Sequence, residues 1–403
     1  MKHTSFIALR HLFSNNNNFQ RYTSIISLSG IAIGVCALII VSSISSGFSG
    51  EIETKLSNID GSLRIQSFVG NINHINEFNK IYNKLIDIES IDHIAAYIET
   101  HALVKYGSKH EGVIAIGINN TSVNKIFKLN KYTNLNINAL NKNSIFIGNE
   151  LSDILDINIS DRLIIFNFNQ FNNDQLIKAS NSTVTNIFKT NFSEYDKKLV
   201  FLNIDYLREI FLKDEYCTGI LLNIRPNANI NKVKNEIIEK IGTSHYYVTT
   251  WEDRHYSLIQ WLKVYDVPIK IVMFFIILIA IFNNTASLWI LIVEKSKNMG
   301  ILRSLGLSKN NIASIIFKEG LIIGIIGSFF GCLLSFLIII TQNYFNIIKL
   351  QPEIYFMETI IFKSHPYDFF KYSISAIFLC ALFTIIPVIK MLSYSTINLL
   401  KDK

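Results

Sequence analysis

The sequence is poor in charge, proline and cysteine. Only 17% of its 403 residues are Asp, Glu, Lys or Arg, where a soluble chain carries about a quarter. Five prolines and 18 glycines exclude a collagen-like chain, and a hydrophobic content of 49% excludes disorder. Four cysteines are too few for a disulfide-stapled secreted scaffold. There is no G-x-x-x-x-G-K-[ST], no H-E-x-x-H, no paired C-x-x-C and no G-x-S-x-G. The chain therefore lacks its own phosphate cradle, zinc site and serine elbow. Its nine histidines are scattered singly, which reads as surface or hydrogen-bonded residues rather than metal ligands. No Arg-rich aromatic stripe accompanies the net charge of +7, so nucleic acid is not an expected partner.

The missing charge is missing from particular places. Tyr22–Gly50, Ile271–Val293, Gly320–Thr341 and Tyr372–Ile389 contain no charged residue. A helix rises about 1.5 Å per residue, so about 20 apolar residues cross a hydrocarbon core of about 30 Å. Four spans are expected, at 22–50, 266–293, 312–342 and 371–392. Lys2, Arg10 and Arg21 precede the first, Lys295, Lys297, Arg303 and Lys309 separate the second from the third, and Lys390, Lys401 and Lys403 follow the fourth. The positive-inside rule puts these segments, and with them both termini, in the cytoplasm. Trp261, Tyr265, Tyr344, Tyr367 and Tyr372 mark one interface, and Tyr22, Trp289 and Tyr394 the other. The apolar run of the first span is too long for a signal peptide, so it is expected to be retained. Before it, residues 1–21 place Phe6, Leu9 and Phe13 on one face of an interfacial helix, with a turn at Asn15–Asn18.

Residues 51–265 read as an external domain. Strand-like runs at Leu63–Ser67, Val113–Ile118, Ser144–Ile147, Leu163–Phe168, Leu199–Leu202 and Ile220–Ile224 alternate with helical patterns. The helices are expected at Asn76–Ile88, Glu150–Ile154, Asp205–Phe211 and Ile230–Ile241, giving mixed sheets covered by helices. A division into two halves near Asn141 is compatible with this pattern. Asn167–Ser182 is polar and aperiodic and reads as a projecting loop. Thr250-Trp251-Glu252-Asp253 has the form of a helix start, feeding a stalk that Pro268 should kink or break. Cys36, Cys332 and Cys380 lie in spans, so Cys217 has no disulfide partner outside. Residues 343–370 form a second outer loop and 393–403 a cytoplasmic tail.

Gly320, Gly324, Gly327 and Gly331 recur at intervals of four, three and four, and Gly30 and Gly34 repeat the spacing in the first span. Small residues on one face let helix backbones approach closely in lipid, either within this chain or against another subunit. Asn283 and Asn284 are costly in hydrocarbon, so at least one should face a protein interior or cavity. The cytoplasmic segment 294–311 carries Ile301, Leu302 and Leu305 as an apolar stripe beside Arg303, with Gly306 placed to end a helix and Ser308 to cap the next. A short amphipathic helix here suits a groove on a soluble partner, or is a solvated loop with a chance stripe.

Four runs resemble the LolC/LolE lipoprotein-releasing ABC transporter permeases, within the FtsX/MacB-like permease superfamily. They are Phe282-Asn283, Val293-Glu294-Lys295, Gly300-Ile301-Leu302-Arg303-Ser304-Leu305-Gly306, and Phe317-Lys318-Glu319-Gly320-Leu321-Ile322-Ile323-Gly324-Ile325-Ile326-Gly327. Phe6-Ile7-Ala8-Leu9-Arg10, Gly30-Ile31-Ala32-Ile33-Gly34, Ser193-Glu194-Tyr195-Asp196 and Thr250-Trp251 are similar to the family's opening, external domain and stalk. The resemblance implies a polytopic α-helical membrane protein with four transmembrane helices and a large mixed α/β periplasmic domain inserted between helices 1 and 2. Its FtsX-like permease region would be 266–400, in a bacterial inner membrane.

The implied protein is a non-catalytic permease subunit that binds no cofactor itself. ATP and Mg would sit on a LolD-like ABC ATPase subunit. Glu294, Lys295, Gly300, Ile301, Leu302, Arg303, Leu305 and Gly306 would couple to it. The other implied partners are a second permease copy or paralogue, membrane lipids, the lipoprotein cargo and a periplasmic LolA-like carrier. The acyl chains would enter a cavity between spans one and two of the paired permeases. The family's proline-rich carrier-binding loop is not evident in Asn167–Ser182, and its Pro-x-Glu-Ala-Leu-Arg reads Ser395-Thr396-Ile397-Asn398-Leu399-Leu400 here, although Ile386-Pro387 is similar. Alternative readings are a MacB-like efflux permease, an FtsX-type regulator of wall hydrolases, or a tethered receptor without an ATPase.

Overall fold

Each charge-free run lies inside a helix longer than itself. In the computed structural model, which describes residues 18–70, 72, 75–133, 140–167, 179–211, 217–226, 228–351, 355 and 357–393, helix α1 covers Asn18–Asp60. The interfacial helix expected with Phe6, Leu9 and Phe13, the centre of the Asn167–Ser182 loop and Ser395–Leu400 lie outside the described residues. Four helices among those described are long and apolar enough to cross a membrane. The chain divides into a helical unit (Met1–Ser49, Leu262–Lys349 and Thr359–Lys403) and an α/β unit (Gly50–Trp261 with Leu350–Glu358).

In chain order after α1, the α/β unit contains β1 (Leu63–Ser67), α2 (Ile75–Leu85), β2 (Ile91–Tyr106), β3 (Lys109–Ile118), α3 (Asn120–Phe127), β4 (Ser144–Gly148) and α4 (Asn149–Leu155). Then come β5 (Arg162–Asn167), β6 (Ala179–Phe188), α5 (Ser193–Lys198), β7 (Leu199–Asn203), α6 (Ile204–Phe211), β8 (Gly219–Ile224), α7 (Ile230–Ile241), β9 (Tyr246–Thr250) and the single turn α8 (Trp251–Arg254). The strand order is β3-β7-β4-β6-β5-β2-β8-β1-β9, and a β2–β3 pairing closes the first six into a ring. Only β3–β7 and β4–β6 are parallel among these pairs.

That topology corrects the division near Asn141. Strands from both sides of it interleave, because β8 and β9 return to flank β1. It also makes β2 the organising strand, at 16 residues. Ile91–Tyr97 pairs with β8, Ala102–Lys105 with β5, and Tyr97–Tyr106 with β3. A strand serving three partners buries no single alternating face, which is why its sequence shows no clean period of two. The projecting-loop reading of Asn167–Ser182 is corrected at its ends. Asn167 closes β5, and 179–182 open β6. Ser182 and Asn186 of β6 are buried, so a polar segment pairs on both sides.

The sheet buries side chains on both faces. Leu63, Ile65, Ile145 and Ile147 enter one apolar cluster with Val233 and Ile237 of α7, while Phe146, Phe188, Phe201 and Phe127 enter the other. The Phe127 and Phe201 rings lie 4.8 Å apart, and Phe188 and Phe201 5.6 Å. Local chemistry sets the helix ends. The Asn229 side chain accepts from the amides of Asn231 and Lys232 at the start of α7. Thr250 and Asp253 cap one another reciprocally at α8, as their spacing predicts.

The helical unit is built from α1, α9 (Tyr256–Ser304), α10 (Lys309–Phe345) and α11 (Pro366–Ser393). α9 runs without interruption through Pro268, and the break in the stalk falls at His255 instead. The coupling segment is likewise not a separate helix between two spans, since Glu294–Ser304 is the C-terminal end of α9. Nothing before Gly306 stops that helix. Ile31, Val35 and Ile39 of α1 pack with Leu288 and Leu291 of α9, Ile323 of α10 and Cys380 of α11.

Candidate functional site

Two clusters carry residues singled out above, and a third emerges from the fold. The first is the helix-packing seam of the helical unit, built by glycine. A β-carbon on Gly30 would lie 2.6 Å from the Asn283 side chain, and one on Gly34 3.0 Å from the Ala280 β-carbon. Both contacts join α1 to α9. On α10, a β-carbon at Gly320 would strike the Thr384 hydroxyl, and at Gly324 would come within 3.1 Å of the Cys380 β-carbon, both on α11. At Gly327 it would meet the Ile31 β-carbon at 2.9 Å, and at Gly331 the Ala32 carbonyl at 2.7 Å, both on α1. One face of α10 therefore takes α11 at its first half and α1 at its second. All six predicted glycines make close approaches within this chain. Sequence reading missed Gly47, whose β-carbon would collide with the Ile361 carbonyl.

Asn284 is wholly buried in the same seam, and the Ser27 hydroxyl donates to its Oδ1 at 3.5 Å. Its Nδ2 and the Asn283 Oδ1 are buried without a hydrogen-bond partner among the described residues. Burying an unsatisfied polar atom costs about 1–3 kcal/mol. The pair thus faces protein rather than hydrocarbon, as the cost of an amide in lipid requires.

The second cluster is the end of α9 and the turn after it. Lys295, Met299 and Gly300 are buried, Glu294, Leu302 and Arg303 half-buried, and Ile301 and Leu305 exposed. Gly306 adopts φ +95°. The Gly306 amide donates to the Arg303 carbonyl at 3.1 Å and the Leu307 amide to that of Leu302 at 3.0 Å. This paired pattern closes a helix on a left-handed glycine. Leu307 packs with Ile292, Met299, Ile312, Ile316 and Met391, and Ser308 accepts from the Asn311 amide at 3.3 Å to start α10. The turn is therefore anchored on one side and presents Ile301 and Leu305, the latter 79% exposed, on the other.

The third cluster lies in the α/β unit and was not anticipated. Asp60, at the end of α1, is buried and meets two guanidinium groups and an imidazole. It pairs with Arg64 of β1, accepts from Arg254 Nε at 2.5 Å, and lies 3.0 Å from His255 Nε2. Arg254 also donates to the Asp60 carbonyl at 2.8 Å and to that of Gly61 at 3.1 Å. Arg64 donates to Glu99 at 2.6 Å and lies over the Tyr97 ring. His255 Nε2 is 2.9 Å from the Tyr195 hydroxyl. Burial works against the Arg64 charge, but Asp60, Tyr97 and Glu99 outweigh it and hold the guanidinium protonated. Burial pushes the Tyr97 hydroxyl up to about 12 and that of Tyr195 well above its ordinary range. The network joins the end of α1 to the α8–α9 junction. Its visible signal was the Asp60–Arg64 spacing together with Arg254-His255 just after the capping box.

The Ser193-Glu194-Tyr195-Asp196 run has a local explanation. Asp196 accepts from the amides of Thr190 and Asn191, both at 2.9 Å, and from the Thr190 hydroxyl at 2.7 Å, while Ser193 donates to Glu150 at 2.6 Å. A β-carbon on Gly148 would strike the Asp196 backbone, which ties β4 to α5. The outer loop supplies a further contact, since Glu358 pairs with Lys189 at 2.7 Å. Among the described residues no group of His, Cys, Asp and Glu could hold a metal ion.

The MacB-like periplasmic core domain family matches residues 24–240, and the FtsX-like permease C-terminal family matches residues 270–396. The chain is 27% identical to the lipoprotein-releasing system transmembrane protein LolC of Buchnera aphidicola subsp. Schizaphis graminum, over 99% of this chain and 98% of that protein. It is 25% identical to LolC of Xylella fastidiosa strain Temecula1, over 87% of each. To the lipoprotein-releasing system transmembrane protein LolE of Haemophilus influenzae it is 20% identical, over 90% of each.

Proposed function

The chain belongs to the LolC/LolE permease family, which joins a MacB-like periplasmic core domain to an FtsX-like C-terminal region, and on that premise we propose that it is an ABC transporter permease extracting lipoproteins from the inner membrane. The observation carrying this reading is the likeness to LolC, which covers the helical and α/β regions from end to end. Burying a methylene is worth about 0.8 kcal/mol, so a protein held by several acyl chains does not leave a bilayer unaided. ATP hydrolysis on a separate subunit supplies that work in this reading, with ATP and Mg bound there and not on this chain.

The exposed Ile301 and Leu305 offer a groove-filling apolar contact to the ATPase, on a turn that Leu307 anchors to α10 and α11. Movement there would pass along α9, one helix as far as His255. None of the residues in the most apolar window of α9 is buried, and Phe274, Phe275, Ile279 and Phe282 are all more than half exposed. That face suits acyl chains and a second permease copy or a LolE-like paralogue. In this reading both termini lie in the cytoplasm and the α/β unit in the periplasm, where it would present cargo to a LolA-like carrier.

The test is reconstitution of the full chain with its ATPase, scoring ATP-dependent release of a triacylated lipoprotein. Release dependent on ATP is the expected outcome. Absence of release, with ATPase activity stimulated by a different amphiphile, would favour the MacB-like efflux reading, to which the core-domain match lends itself.

A further inference from the structure

The outer ends of three helices line an open cavity of about 390 Å³ in the helical unit, with polar groups that acyl chains alone do not need. That size lies in the range of about 300–1,000 Å³ typical of small-molecule sites. α1 contributes Ser42, Ser45 and Ser46, at spacings that put all three on one helical face. α9 contributes Asp266 and Lys270, one turn apart, and α11 contributes Lys371 and Tyr372. Farther along α9 the wall becomes apolar, with Met273, Phe274 and Ile277.

The polar groups are only partly occupied with one another. Ser45 donates to Asp266 Oδ1 at 3.4 Å, and the Tyr372 hydroxyl donates to Ser42 at 3.0 Å. Lys371 Nζ lies 5.4 Å from the centre of the Tyr372 ring. Neither Lys270 nor Lys371 forms an ion pair among the described residues, even though Asp266 is one helical turn from Lys270. Two ammonium groups and one carboxylate leave the cavity one positive charge in excess. Hydroxyl donors lie on the opposite wall, and an apolar strip leads away from it.

We propose that this cavity binds the phosphodiester headgroup of a membrane glycerophospholipid, with Lys270 and Lys371 holding the phosphate and one acyl chain lying along Met273, Phe274 and Ile277. A phosphodiester carries one negative charge, matching the excess. Asp266 disfavours a doubly charged phosphomonoester. Charge-assisted hydrogen bonds from lysine to phosphate are roughly twice as strong as neutral ones, and the dry apolar wall accepts a chain but no second charge. The acyl anchor of a lipoprotein carries no phosphate, so the headgroup end of this site differs in chemistry from a cargo site, although Phe274 belongs also to the face proposed for cargo chains. The inference rests on the reading of the chain as a membrane protein, but not on lipoprotein as the cargo.

Native mass spectrometry of the full chain, delipidated in detergent and titrated with dioleoylphosphatidylglycerol, tests it. The K270Q/K371Q variant should bind the lipid about tenfold more weakly, a loss of about 1.4 kcal/mol. K270R/K371R should restore it, and K349Q/K363Q, which removes two charges from the same unit outside the cavity, should bind as the parent does. Dioleoylglycerol, which has the chains without the phosphate, should be retained no better by the parent than by K270Q/K371Q. Equal retention of phosphatidylglycerol by parent and K270Q/K371Q would overturn the proposal, as would dioleoylglycerol binding as tightly as the phospholipid. Full displacement by chain-free glycerophosphoglycerol at equal concentration would also overturn it, by showing a site for soluble phosphodiesters. Lipoprotein release is scored separately, so failure of that activity leaves this measurement readable.

Discussion

The α/β unit and the helical unit use the same apolar residues in opposite ways. In the first, Leu63, Ile65, Ile145 and Phe201 vanish into cores on either face of the sheet, and a dense charge cluster pairs Asp60 with Arg64 and Arg254. In the second, glycine brings helix backbones together and large apolar side chains cover the outside. Water makes the difference. Where it surrounds a unit, apolar side chains gain by leaving it, whereas in lipid they gain nothing and close backbone packing must hold helices together.

Four measurements press on this contrast. The largest effect belongs to the α/β unit. Asp60→Ala leaves buried Arg64 with Glu99 alone and half-buried Arg254 without a carboxylate, and removing one partner of a buried ion pair costs about 3–5 kcal/mol. Hydrogen exchange of β1 and β9 amides should accelerate accordingly, and unchanged protection would mean that the cluster is not structurally required. In the helical unit the sensitive positions are glycines. Gly327→Leu forces Ile31 aside and should cost about 1–3 kcal/mol in thermal unfolding of the full chain. Gly112→Ala, in open space on β3, should stay within about 0.5 kcal/mol. Equal effects at the two sites would erase the distinction between glycine as contact and glycine as filler.

Exposure at the α9 turn gives a binding effect without a folding effect. Replacing the exposed Ile301 and Leu305 by Asp should weaken co-purification with the ATPase by about tenfold or more, since interface anchors commonly contribute about 2 kcal/mol or more. A pull-down equal to that of the parent would sink the coupling proposal. The smallest effect is at the surface. The hydrogen bond from Lys189 holds the Glu358 carboxyl below its ordinary range, and the same bond raises Lys189. A carboxylate with a depressed folded value stabilises above its unfolded pKa and loses that contribution as pH falls through the lowered one. The lysine's share is present at neutral pH and is lost only as pH rises through its raised value. Exposed pairs contribute about 0.2–1 kcal/mol, so protease cleavage near 350–358 should rise modestly below pH 4 and likewise in Glu358→Gln at pH 7. Cleavage independent of pH in the parent would show that the pair does not hold the segment.

Much of the fold was legible before any coordinates. Ile230–Ile241 has the bounds expected of it, because an apolar face, an Asn cap and a terminal glycine act within one helix. The Gly306 turn was legible for the same reason. β6 was not, since Ala179–Ser182 is polar and becomes a strand only by pairing with β5, nor was the closing of the ring through β2. The Asp60 network joins residues nearly two hundred positions apart, and although the Asp60–Arg64 spacing was visible, nothing local indicated that Arg254 and His255 would meet it.

The sequence alone determined where the charge is absent, and so which four helices can meet lipid, because hydrocarbon length and the cost of charge act on contiguous residues. Helix caps and the glycine turn belong to the same local class. Only the tertiary structure decided which helix each glycine meets, where the Asn pair points and which lysines share a cavity with which serines. Those are contacts between distant segments, and they exist only once close packing has excluded every other arrangement.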